Sequence, residues 1–199
     1  MTLDLSRAVL LPIDIQKGFD DPRWQQRRNS DFEANALAVL AHWRASGRPI
    51  IHVRHDSAEP GSPFAPGQPG NDLRPGFEPR AGEPLLTKSV NSAFIGTDLD
   101  LRLRRMGVDT LVAFGMSTDM CVSTTIRTGA NLGWKMVLVA DASDCFDLPD
   151  GRGSTIPGRM VHDAHVATLA YEFSDVATTA DLLRALGRPE PAPSMTIPA

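Results

Sequence analysis

Cysteine is scarce in this chain: 199 residues hold only Cys121 and Cys145, too few for a disulfide framework. Long apolar runs are missing as well. No stretch approaches the ~20 residues that span a bilayer. The polar start at 1–7, followed by a short apolar run cut off by Asp14, does not read as a secretory signal. Nor is there a strong excess of one charge. A formal net charge of −4 gives no electrostatic reason to expect nucleic-acid or anionic-membrane binding. No internal repeat is visible. These absences leave a soluble protein of a reducing cytoplasm, with both thiols free, as the expectation.

What is present is an ordinary globular balance of 42% hydrophobic and 22% charged residues, which argues against disorder. A chain this long can bury roughly 70% of its unfolded surface in one α/β domain. Apolar, β-rich runs at 8–15, 49–53, 110–114 and 135–140 predict buried strands, with weaker ones at 85–88 and 175–178. Helical patterns lie between them. Ser30 and Glu33 make an S-x-x-E capping-box signature for a helix carrying Phe32, Ala36, Leu40 and Trp43, with Gly47 as its stop. Residues 98–106 place Leu99, Leu103 and Met106 on one face before Gly107, and further helices are expected over 121–132, 159–173 and 180–186.

Strands alternating with helices imply βαβ units and an α/β fold with helices on both faces of a mainly parallel sheet. One domain is expected over 1–187. Within it, 60–84 is rich in Pro and Gly and follows neither period, which leaves open a mobile surface excursion, a lid or a partner-binding arm. Residues 188–199, with four prolines, read as an extended tail, either frayed or laid on a neighbouring subunit.

Ligands of open parallel sheets bind beyond the carboxyl ends of the strands. The polar residues there are Asp14 with Gln16, Arg54 with His55 and Asp56, Lys88, the 115–121 turn, and Asp141. A carboxylate, an ammonium and a thiol thus converge on one sheet edge. Cys121 is predicted at a strand-to-helix turn, where the helix dipole lowers a thiol pKa and unpaired N–H groups suit an oxyanion. Position alone leaves it open as nucleophile or small core residue. Asp14 alone could be a solvated strand end, and Lys88 an ordinary surface lysine. Together they suggest a general base and a charge-stabilising partner for the thiol.

The rivals are weaker. Cys145 lies between Asp144 and Asp147, whose charges disfavour a thiolate, and reads as structural. Of the five histidines, His52 with His55 and His162 with His165 invite a metal, but neither pair has a strong metal-motif context. The glycines at 151, 153 and 158 have a loop composition rather than a phosphate fingerprint.

I-D-I-Q at 13–16, K-S-V-N-S-A-F at 88–94, and G-M-S-T-D-M-C-V at 115–122 followed by V-L-V-A-D-A at 137–142 resemble the isochorismatase-like hydrolases, in the same order from about Val9 to Thr179. The resemblance implies a Rossmann-like αβα three-layer sandwich assembled as a homodimer or tetramer. It also implies a catalytic triad in which Asp14 deprotonates Cys121, Cys121 attacks a carbonyl carbon, and Lys88 stabilises and orients the pair. A cis peptide between Met116 and Ser117 is implied too, with the N–H groups of Ser117 and Cys121 as the oxyanion hole. Relatives that hydrolyse nicotinamide carry Asp-x-His after the second strand to hold a metal. Here that stretch is Arg54-His55-Asp56, and no histidine occurs in 60–84. True isochorismatases lack the nucleophilic cysteine. H-V-R-H-D-S at 52–57 and C-V-S-T-T-I-R at 121–127 look closer to uncharacterised hydrolases and streptothricin-hydrolase-like amidases.

The expectation is a cofactor-independent, metal-free cysteine hydrolase acting on a small-molecule amide, lactam or related C–N bond. Phe19, Trp24 and Phe94 are candidate walls of an apolar substrate pocket. The competing classes are a non-catalytic binding or assembly protein on the same scaffold, a metal-dependent nicotinamidase-like amidase, and a redox-sensing thiol protein.

Overall fold

The computed structural model describes residues 3–24 and 29–187; the tail expected at 188–199 lies outside the described residues. A six-stranded parallel sheet is built from β1 (Ala8–Ile13), β2 (His52–His55), β3 (Leu85–Lys88), β4 (Thr110–Gly115), β5 (Lys135–Val139) and β8 (Asp175–Ala177), in the order β3-β2-β1-β4-β5-β8. The α/β architecture is as the strand–helix alternation predicts. Alternate residues of β1 divide between two cores. Ala8 and Leu10 join α1 (Phe32–Ala45) and α5 (Thr179–Leu186) on one face, while Val9, Leu11 and Ile13 meet α2 (Leu99–Met106), α3 (Ser123–Asn131) and α4 (Gly158–Glu172) on the other. Burial on both faces explains why these strands are continuously apolar. No helix of the described residues is long and apolar enough to cross a membrane.

Two of the strand boundaries that differ from the sequence expectation do so for a plain local reason. β1 stops at Ile13 rather than 15 because Asp14 takes a positive φ of 51°, a conformation that aspartate tolerates better than most residues. β2 begins at His52 rather than 49. Leu10 and Asp14 donate N–H bonds across to Pro49 and Val53, but Pro12, between them, has no N–H to give. The β1–β2 pairing is therefore loose at its start and regular only at Ile13 and Val53.

The Ser30–Glu33 capping box does not form. Asp31 occupies the α1 N-cap without a side-chain bond, and Glu33 instead meets Arg74 at 3.3 Å. A reciprocal box closes at Thr178 and Asp181, at the start of α5. A short antiparallel hairpin absent from the sequence reading, β6 (Leu148–Pro149) with β7 (Thr155–Ile156), spans the glycine loop. Asp150 Oδ1 accepts the Arg152 and Ser154 N–H groups there.

The Pro/Gly-rich segment 60–84 is fixed to the body by polar contacts rather than by regular structure. Arg74 reaches Asp20, Phe77 is buried, and Asn71 Nδ2 donates to the carbonyls of His55 and Phe64. At its end Glu83 takes a two-pronged contact from Arg44 (2.8 and 2.7 Å) and one from His52 (2.9 Å). The Arg44 bonds hold the Glu83 carboxyl down at about 2. A carboxyl held below its ordinary value adds stability above the unfolded pKa and loses it as pH falls toward the folded one. The Glu83→Gln variant is expected to lose roughly 1–3 kcal/mol at neutral pH, a fall of about 2–4 °C in Tm per kcal/mol. Its stability should also fall less steeply than wild type between the ordinary carboxyl range and pH ~2; denaturant melts across that range check both.

Candidate functional site

The sheet order reverses between β1 and β4, and the crevice at such a switch point is where ligands of open α/β sheets bind. Asp14 leaves β1 on one side of it. From β4 the chain passes through Gly115, whose φ of 136° and close approach to Ile13 admit no side chain; an added Cβ would lie 2.0 Å from the Ile13 carbonyl oxygen. The Met116–Ser117 peptide bond is cis. A single π-helical turn, Thr118–Val122, then carries Cys121 and leads into α3. His162 braces this turn, its Nδ1 lying 2.9 Å from Thr118 Oγ1.

Lys88 arrives at the end of β3. Its Nζ lies 2.6 Å from Asp14 Oδ2 and 3.4 Å from Cys121 Sγ, so the carboxylate, ammonium and thiol expected from the strand ends do come together. The ion pair is almost wholly shielded from water. Asp14 Oδ1 is buried and makes no hydrogen bond among the described residues. Burial is the largest single influence and works against the Lys88 ammonium, but the charges and hydrogen bonds of Asp14 and Cys121 together outweigh it, and Lys88 is held above its ordinary value.

Cys121 behaves opposite to the expectation of a dipole-lowered thiol. Burial first, and the Asp14 charge second, push its pKa up, and the nearby Lys88 charge does not offset them. Desolvation and a facing carboxylate outweigh any dipole contribution from the turn. The direction of the shift favours a protonated thiol beside the ion pair.

In front of Cys121 opens a cavity of about 420 Å³ lined by Asp14, His55, Ser117 and Cys121 on one side. Phe19, Trp24, Phe64 and Phe146 form its aromatic wall, with ring centroids 4.6–6.0 Å apart. Phe19 and Trp24 stand where the sequence reading puts them. Phe94 does not. It is drawn to the far side by the K-S-V-N-S-A-F turn, whose Ala93 N–H and Ser92 hydroxyl bond to Thr125 and Thr128 of α3, and it packs against Gly129. The second half of that motif ties the Lys88 strand to the Cys121 helix instead of lining the cavity.

Sequence reasoning missed Phe64 and Phe146. Phe64 sits in a stretch without periodicity, and Phe146 adjoins the cysteine set aside as structural; a search for aromatics after strand ends could have found only the second. That cysteine, Cys145, is buried and donates its thiol to the Gly158 carbonyl. Asp141 accepts from the Thr179 N–H and hydroxyl at the start of α5, away from the cavity. The histidine pairs separate: His52 bonds Glu83 while His55 faces the cavity, and His162 holds Thr118 while His165 bonds the Val161 carbonyl. Among the described residues no group of three or more His, Cys, Asp or Glu is placed to hold a metal ion.

The isochorismatase domain model matches residues 8–181. The chain belongs to the isochorismatase family. The uncharacterised isochorismatase family protein YrdC of Bacillus subtilis is 36% identical over 177 residues, 89% of this chain and 95% of that one. A crystal structure from Chromobacterium violaceum, described as a hydrolase of the family, superposes with a TM-score of 0.90 at 42% identity, covering 94% of this chain and 97% of that one. Streptothricin hydrolase of Streptomyces noursei is 30% identical over 174 residues, 86% of this chain and 63% of the relative. This chain is thus an isochorismatase-family hydrolase, on the sandwich fold common to such proteins.

The electrostatics give an outcome that can be measured without a substrate. Removing the Asp14 charge lowers the Cys121 pKa, so Asp14→Asn is expected to speed alkylation of Cys121 by iodoacetamide at neutral pH, by up to about tenfold for each unit the pKa falls. Lys88→Met, which removes the opposing cation, should slow it. Mass spectrometry of the Cys121 peptide in folded protein reads both.

Proposed function

We propose that this hydrolase cleaves the C–N bond of a small amide, lactam or related compound through a thioester on Cys121, with Asp14 as base and Lys88 as stabilising cation. The observation that carries the reading is the division of labour on one carboxylate. Asp14 Oδ2 is taken by Lys88, while Oδ1 is buried without a hydrogen bond, and the same lysine lies 3.4 Å from a thiol that burial and the Asp14 charge keep protonated. Such an oxygen is suited to receive a proton.

In this mechanism Asp14 takes the Cys121 proton as Sγ attacks the carbonyl carbon. The oxyanion that forms is received by the N–H groups of Ser117 and Cys121. Collapse breaks the C–N bond, and Asp14 returns the proton to the departing amine. Water then enters, gives a proton to Asp14 and attacks the thioester. The second collapse releases the carboxylic acid and restores the thiol. Throughout, Lys88 offsets the negative charge that moves between Asp14 and Cys121. Neither metal nor organic cofactor has a step in this scheme. Phe19 and Trp24, with Phe64 and Phe146, hold the apolar part of the substrate, and the relative named streptothricin hydrolase supports a small-molecule substrate.

The test is a screen of small amides, ureides and lactams that reads ammonia or amine release. Cys121→Ala and Asp14→Asn are each expected to lower kcat at least about a thousandfold, and rapid acid quench of the wild type should trap an acyl adduct on the Cys121 peptide. Full activity of Cys121→Ala on a substrate the wild type turns over would defeat the mechanism. Phe64→Ala should raise KM more than it lowers kcat.

A further inference from the structure

His55 lines the cavity and takes no part in the steps above. We propose that it is a positioning residue whose neutral imidazole holds Lys88 through Nδ1, and whose protonation releases that hold and sets the acid limit of the site. The inference rests on the Asp14–Lys88–Cys121 reading.

An ammonium has three N–H donors and no acceptor. Among the described residues, Lys88 Nζ has three neighbours able to accept: Asp14 Oδ2 at 2.6 Å, Cys121 Sγ at 3.4 Å and His55 Nδ1 at 3.4 Å. For a buried ammonium, a donor without an acceptor is costly, and His55 completes the set. Nδ1 can accept only if the ring proton sits on Nε2, so the contact selects one tautomer.

The backbone builds this contact in. His55 and Lys88 face each other in register across β2 and β3, and the Asp56 N–H donates to the Lys88 carbonyl at 2.8 Å. Gln16, two residues beyond Asp14, grips His55 at both ends: its Oε1 accepts the His55 N–H and its Nε2 donates to the His55 carbonyl, each at 2.9 Å. Asn71 Nδ2 donates to the same carbonyl at 3.1 Å. Phe64 meets the imidazole edge-on, with centroids 6.2 Å apart and planes at 80°. These contacts fix the His55 backbone and one edge of its ring beside Lys88.

The charged groups facing His55 are Lys88 from β3, Asp14 beyond β1, and Asp56 and Glu59 from its own segment. Burial, and then the Lys88 charge, favour the neutral ring; the three carboxylates oppose them without prevailing, so the histidine is held below its ordinary 6.5. At neutral pH Nδ1 is therefore available as an acceptor. On acidification that acceptor is lost and a second cation stands against Lys88.

The test uses the folded, full-length chain labelled with ¹⁵N, reading histidine side-chain nitrogens across pH, with the His55→Gln spectrum assigning the signal. The Nε2–H tautomer at neutral pH and a midpoint below 6.5 are expected, and Lys88→Met should raise that midpoint. An Nδ1–H tautomer, or a midpoint indifferent to Lys88→Met, would overturn the inference. On any substrate the screen yields, His55→Gln keeps an acceptor that does not titrate. It should lose the acid limb of the kcat/KM profile and lose less kcat than His55→Leu, whose fall should be about tenfold or more with little change in KM. An unchanged acid limb in His55→Gln would also overturn it. Full activity of Cys121→Ala would sink the hydrolytic mechanism alone, since the tautomer and its midpoint are read without turnover.

Discussion

A carboxylate and an ammonium meet at 2.6 Å with almost no access to water, and the site is arranged around that pair. Either charge buried alone would be strongly unfavourable, and breaking such a pair typically costs about 3–5 kcal/mol. The pair as a whole gains little over an apolar replacement, because desolvation consumes most of the attraction. Its value lies in what it imposes locally. Lys88 fixes one oxygen of Asp14, leaves the other without a hydrogen bond, and brings its positive charge within 3.4 Å of Cys121 Sγ. A protonated thiol is the matching state: a thiolate with no reaction under way would leave the lysine between two buried anions.

Several otherwise unrelated features serve that geometry. The positive φ at Asp14 ends β1 at its last core residue, Ile13, and sets the carboxylate at the strand end. Gly115 lets β1 and β4 approach closely just before the Cys121 turn. The hydrogen bonds of Ser92 and Ala93 to α3 tie the Lys88 strand to the Cys121 helix. Segment 57–64 closes the front of the cavity, and Asn71 and Arg74 hold the chain beyond it in place, so the wall of the pocket comes from the least regular part of the chain.

The fold and the polar residues at the strand ends were legible because both follow from position. Continuous apolar runs mark strands covered on both faces, and a charged residue ending such a run is conspicuous. Boundaries were less legible where a single residue decides them, as Asp14 does through its φ and Pro12 through its missing N–H. From sequence, a thiol near a helix start reads as dipole-activated. Its protonation is set instead by burial and by the Asp14 charge; the sequence pattern placed Asp14 on the same sheet edge but could not show how deeply the thiol is buried. Phe94 was misplaced for a related reason. Its motif is recognisable, but whether an aromatic faces a cavity or a neighbouring helix depends on the path of the turn. Glu33 likewise had the spacing of a capping partner, and Arg74 offered it a better one.

In the proposed mechanism Cys121 rests as a thiol, kept so by burial and by the Asp14 charge, and Asp14 serves as its base. The ultraviolet absorbance of the thiolate measures this directly, taken as the difference between wild type and Cys121→Ser through a pH titration of the folded protein. No Cys121 thiolate should be seen at neutral pH in the wild type, and Asp14→Asn should move its appearance to lower pH. A thiolate already present at neutral pH, unaffected by Asp14→Asn, would contradict the account.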